Sequence, residues 1–320
     1  MEDNGVFPAR HRMSDGSRPA APCNLAEIRK TLDQPRASLS PSKLSDTEFE
    51  VFQDSNEQAG SESQIMMNAI PFITGANDRN FERSGDIPFN NMEKIDPTIT
   101  TPKPDMYYGA RAADVHPRVR QDLGPYIIPS RNMSQPIAPN AFLAGKSKNG
   151  LASVGQSQAM YDNYIGARSM LKLQNYGNEE LSYDGNAYSI ASSYHPGTGT
   201  LQMYATHPGP SAQLGGNSRY YTTQLRAYAM TDTLESFRNG AAAYRNARQW
   251  TKSKRDEFIA NANLVAQSQT TPSKPTRRMH LNGARSRDAQ SRETIYTSDA
   301  DTSEDELAED MRRAQRRRHS

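Results

Sequence analysis

Residues 141–158 read AFLAGKSKNGLASVGQSQ. The first six, Ala141 to Lys146, form a short apolar run ending at a lysine, which suits a buried strand. Strand alternation puts positions 144 and 146 on one face. From about 153 the chain reads as a helix to about 175: Val154, Gln158, Tyr161, Ile165, Met170 and Leu173 fall near one broad stripe. Gly177 follows as a stop. A strand leading directly into a long helix is the unit on which an α/β sheet is built.

Upstream, PDMYYGAR (104–111) opens another short strand at 104–108, and a helix is expected around 114–124, where Pro117 is tolerated in the first turn. Further back, Ser45 with Glu48 has capping-box spacing for a helix carrying Phe49 and Phe52. A second helical piece with Ile65, Met66, Ala69 and Ile70 is expected to stop at Pro71 and Gly75. Downstream, NAYSIASSYH and TLQMYATHP flank PGTG and make the clearest hairpin in the chain. YYTTQLRAYAM (220–230) is a third β-like run. Asp232 with Glu235 then opens the longest helix, whose apolar positions from Leu234 to Val265 repeat at spacings of three and four.

The resulting expectation is an α/β (α+β) domain over 44–266, with a small mixed sheet flanked by helices. Residues 1–43 and 267–320 are rich in Pro, Ser and charge and read as disordered arms. The tail joins a basic stretch, an acidic block and a terminal RRAQRRRHS. Hydrophobic residues make up 35% of 320, net charge is +2 and mean hydropathy is −0.86. Overall charge therefore selects no partner. The single Cys23 excludes a disulfide framework and a Cys-rich zinc site. There is no apolar run long enough for a membrane span, and the first residues lack the apolar core of a signal peptide. An intracellular protein, nuclear or cytoplasmic, is expected. The histidines lack metal-ligand spacing, and neither a G-x-S-x-G elbow nor a P-loop occurs.

The order helix, PD-strand, apolar strand ending in lysine, helix with glutamine, then further strands resembles the PD-(D/E)XK nuclease-like superfamily. More closely it is similar to a fungal protein group with that core, over about 44–265. The Pro104-Asp105 pair, Phe142-Leu143-Ala144-Gly145-Lys146, Gln158, YDGNAYSI and FRNGAAAYRNARQW carry the resemblance. It implies a restriction-endonuclease-like core whose site residues are Asp105, Lys146 and Gln158. It also implies an acidic metal ligand at 144, where this chain has alanine. Such chemistry needs two carboxylates near one Mg²⁺, with a lysine to offset developing charge.

Ala144 cannot bind metal, so the site reads as vestigial and no cofactor is expected unless a carboxylate has migrated, in which case Mg²⁺ is. Asp162 lies four residues after Gln158 on the same helical face. Glu48, Glu50 and Glu62 on the opening helices are further candidates. Arg226, Arg245 and Arg248 offer a phosphate-binding face. Three functions follow as expectations: a catalytically degenerate domain binding nucleic acid or protein, a Mg²⁺-dependent nuclease with a displaced carboxylate, or a structural interaction protein.

Overall fold

In the computed structural model, residues 1–211 and 216–270 are described. In chain order the elements are β1 (Val6–Phe7), α1 (Leu25–Leu32), α2 (Asp46–Gln58), α3 (Glu62–Gln64) and α4 (Ile70–Thr74). Next come β2 (Arg83–Ser84), β3 (Met106–Ala110), α5 (Pro117–Ile127), β4 (Ile137–Gly145) and α6 (Ala152–Gln174). The chain continues through β5 (Ser189–His195), β6 (Thr200–Gly209), β7 (Arg219–Ala229) and α7 (Leu234–Thr270). The strands form one mixed seven-stranded sheet in the order β1-β7-β6-β5-β4-β3-β2. The expected α/β class with a mixed sheet between helices is therefore present.

The β4–β5 pair is parallel, and parallel neighbours need a crossover. Helix α6 supplies it. The sheet's other pairs are antiparallel except β1 with β7. Every residue of β4 is buried, because both faces of the sheet are covered. Ala141 and Leu143 point into the larger core, with Phe52 of α2, Ile65 and Ile70 of the opening helices and Phe237 to Trp250 of α7. Phe142 points the other way, into a core with Ala159, Tyr164 and Ile165 of α6. A third cluster joins α5 to the ends of α6 and α7 through Val119, Ile127, Met170 and Phe258.

Local signals held where the partners are close in sequence. Ser45 and Glu48 form both halves of the capping box on α2. Pro117 occupies the first turn of α5. β5 and β6 pair from Ser189↔Thr206 to His195↔Thr200 around the PGTG turn, with Gly199 at φ +57°.

Two expectations need correction. Pro71 does not stop its helix. A π-helical turn, Ile65–Ala69, joins α3 to α4, and Pro71 sits in the first turn of α4, where a missing N–H costs least. The helix ends at Gly75, at φ +77°, the other of the two expected stops. The first 43 residues are not a disordered arm but belong to the domain. Val6 is fully buried as β1 extends the sheet beside Tyr220. Ile28 and Leu32 of α1 and Leu39 bury against the α7 side. Arg29 of α1 also donates to the backbone carbonyls of Gln224 and Leu225. Helix α7 runs on to Thr270, past the expected end at 266. The charged tail from 271, with its basic stretch, acidic block and terminal arginines, lies outside the described residues. No helix among the described residues is long and apolar enough to cross a membrane.

Candidate functional site

The sheet brings Asp105 to position 144 directly. β3 and β4 pair with Met106 opposite Leu143 and Tyr107 opposite Phe142. One step further along this register sets Asp105 opposite Ala144. Antiparallel partners share a face, and Phe142 marks that face as the one beneath α6. Asp105 Oδ2 accepts a hydrogen bond from the Gly145 backbone N–H at 2.9 Å. Ala144 is buried, with Ser193 of β5 on its other side.

Lys146 shares this face by alternation. Its chain runs beneath the start of α6, where a Cβ on Gly155 would lie 2.9 Å from Lys146 Cγ and from Ser193 Oγ. Only glycine lets the helix approach this closely. Gly166, three turns further on, has the same role: a Cβ there would lie 2.2 Å from Ser189 Oγ. Between the two glycines, on the same stripe of α6, sits Asp162. The close approach that needs those glycines also buries its carboxyl, so Asp162 is 2% exposed.

These groups interact. Burial raises the pKa of Asp105; Lys146 and the Gly145 N–H oppose the rise, Glu62 adds to it, and the Gln158 side chain, donating to Asp105, lowers it. Burial likewise pushes Asp162 well above the carboxylate range. The charge of Asp105 pushes it further, and Lys146 alone pulls it back. Asp162 Oδ2 is buried without a hydrogen-bond partner among the described residues. Lys146 Nζ donates to Glu62 Oε1 at 3.0 Å, joining a lysine that is 5% exposed to a half-exposed glutamate.

Asp105, Lys146, Gln158 and Asp162 thus meet in one place, with Glu62 at its edge. Glu48 is occupied in the α2 capping box, and Glu50 is exposed. Sequence reasoning passed over Ser193, which flanks Ala144. One serine in an alternating strand carries no signal of its own. Among the described residues, no group of three or more His, Cys, Asp and Glu side chains is set to hold a metal. The donor set is instead two carboxyls beside a lysine.

The three arginines do not form one exposed face. Arg226 on β7 pairs with Asp33, 2.6 Å away. Arg245 and Arg248 are buried in α7. Arg245 donates to the carbonyls of Phe72 and Ile73. Arg248 donates to the carbonyl of Thr74 and pairs with Asp78. The last carbonyls of a helix lack intrahelical partners, and these two arginines supply them for α4. The expected face is therefore not one exposed strip, because the positions of α7 that face α4 are the ones Arg245 and Arg248 occupy.

Comparison with protein-family models, with curated proteins and with solved structures finds no match. Within the fold, the class of site is defined by its own groups: a buried and a half-buried carboxyl with a buried lysine at the end of the central parallel strand pair.

Proposed function

We propose that this is a nuclease-like domain of PD-(D/E)XK type in which Asp162 of α6 stands in for the acidic residue absent at position 144. One observation carries the reading. A fully buried carboxyl with an unpartnered oxygen lies beside a second, half-buried carboxyl whose charge raises its pKa. An uncompensated buried carboxylate is costly, and a second carboxyl beside it makes the place suited to a divalent cation.

The donor set fits Mg²⁺, which takes hard oxygen ligands and is commonly held by one or two carboxylates while keeping several waters. Asp105 and Asp162 would hold it. Bound there, the ion would supply charge stabilisation at a phosphodiester and a more acidic water. The chain's own contributions are separable. Gln158 and the Gly145 N–H fix the orientation of Asp105. Lys146 places positive charge beside both carboxyls, where it would also offset charge developing on a phosphoryl oxygen. The substrate class is nucleic acid.

A second reading, a binding module without cleavage, is favoured by the Lys146–Glu62 pair, because it engages the lysine head group. One assay separates the two. Labelled duplex and single strand are incubated with the protein at several salt concentrations, with and without Mg²⁺ or Mn²⁺. The first reading expects metal-dependent cleavage that Asp105→Asn and Lys146→Ala abolish. Salt-dependent binding without cleavage supports the second. Absence of both overturns each.

A further inference from the structure

On the opposite side of the sheet, α7 and the C-terminal end of α4 border a cavity of about 600 Å³. That is within the ordinary range for small-molecule sites, roughly 300–1,000 Å³. Its lining is strongly one-sided in charge: Arg36, Lys43, Arg245, Arg248 and Lys252 against Glu48.

Most of the local counter-charge is already committed. Asp78 pairs with Arg248 and with Arg83. Lys252 pairs with Asp256. Glu48 is engaged with the Ser45 N–H in its capping box. Among the described residues, Arg36 and Lys43 have no carboxylate partner. Arg36 Nη1 and Arg248 Nε are buried and donate to nothing among the described residues. Arg36, Arg245 and Arg248 also repel one another. Burial and then the neighbouring Arg248 and Arg36 push Arg245 down to about 10, and burial followed by Arg248 lowers Arg36. Capping α4 accounts for donors of Arg245 and Arg248. It accounts for nothing of Arg36 or Lys43.

We propose that this cavity is an anion site that takes a phosphate group, with Arg36 as its principal unpaired cation, Lys43 at its side and the charges of Arg245 and Arg248 behind it. A phosphate dianion suits the site on two counts. It accepts several charge-assisted hydrogen bonds at once from guanidinium forks, and it neutralises a cluster that the chain leaves positive. The volume exceeds that of inorganic phosphate, so a phosphate ester on a small organic body also fits. This site is independent of the carboxylate cluster, which lies under α6.

The test is binding of inorganic phosphate and of a nucleoside 5′-monophosphate to the full chain, by calorimetry and by thermal shift at constant ionic strength against chloride. Binding of at least one is expected, with a higher Tm. Tighter binding of the monophosphate would assign the site to an ester, and equal binding would assign it to the free ion. Arg36→Gln should weaken binding about tenfold or more while leaving the unliganded Tm nearly unchanged. Lys43→Gln, at an exposed position, should weaken it less. Absence of a phosphate-specific shift overturns the proposal, and so does equal binding by wild type and both variants.

Discussion

Asp162 on α6 feels the charge of Asp105 from the strand entry opposite Ala144, and the two carboxyls share Lys146 as counter-charge. On the proposed reading, this pair is why Asp162 takes the place of an acidic residue at position 144. Its consequences are measurable without a substrate.

The first concerns pH. A carboxyl whose folded pKa lies above its unfolded value binds its proton more tightly when folded. Below the ordinary Asp value, about 3.9, both states are protonated and there is no differential. As pH rises from there towards the raised value, the unfolded chain releases the proton and the folded chain does not, so stability falls. The loss is complete above the raised value. Asp162→Asn removes this penalty. The variant should match wild type near pH 4 and exceed it at pH 7–8, by roughly 3 °C or more in Tm. A constant difference across that range would contradict the assigned environment of Asp162.

A swap tests the geometry. Ala144→Glu alone adds a third carboxyl to a buried site and should lower Tm in the absence of divalent ions. In Ala144→Glu with Asp162→Asn, the carboxylate returns to the strand, and divalent-ion binding lost in Asp162→Asn should reappear. Failure of the double variant to bind, while folded by circular dichroism, would mean that positions 144 and 162 do not serve one site.

Arg248 is held by Asp78, the Thr74 carbonyl and the face of Phe81. Arg248→Met strands a buried acceptor set and should cost about 3–5 kcal/mol in denaturant unfolding. A loss below about 1 kcal/mol would show that Arg83 and the Tyr108 hydroxyl satisfy Asp78 without Arg248.

Removal of residues 1–43 strips β1 from the edge of β7 and α1 from the α7 side. The 44–320 chain should melt well below the full chain and aggregate on heating, since Tyr220 and Tyr221 lose their edge strand. An unchanged melting curve would show that this segment merely rests on the domain.

That last segment also marks where sequence stops being legible. Val6, Ile28, Leu32 and Leu39 are sparse among Pro, Ser and Arg, and their partners lie on β7 and α7, some two hundred residues away. No local period announces such contacts. The Ser45 capping box and the PGTG hairpin were legible because each is closed by residues a few positions apart. The carboxylate cluster was legible in part. Strand alternation links 144 to 146, and a helical turn links Gln158 to Asp162, but the register that sets Asp105 opposite Ala144 is long-range. Arg245 and Arg248 misled because a charge repeated along a helix reads as solvated surface. Their burial depends on where α4 ends, which the sequence of α7 does not contain.

Asp105 and Asp162 forming one cation site is the central proposal. The most direct measurement is calorimetric titration of Mn²⁺ into the full chain at pH 7.5, alongside Asp105→Asn and Asp162→Asn. The expected result is one ion bound per wild-type chain, with affinity at least about tenfold weaker in either variant. No binding by wild type, or equal binding by all three, would contradict it.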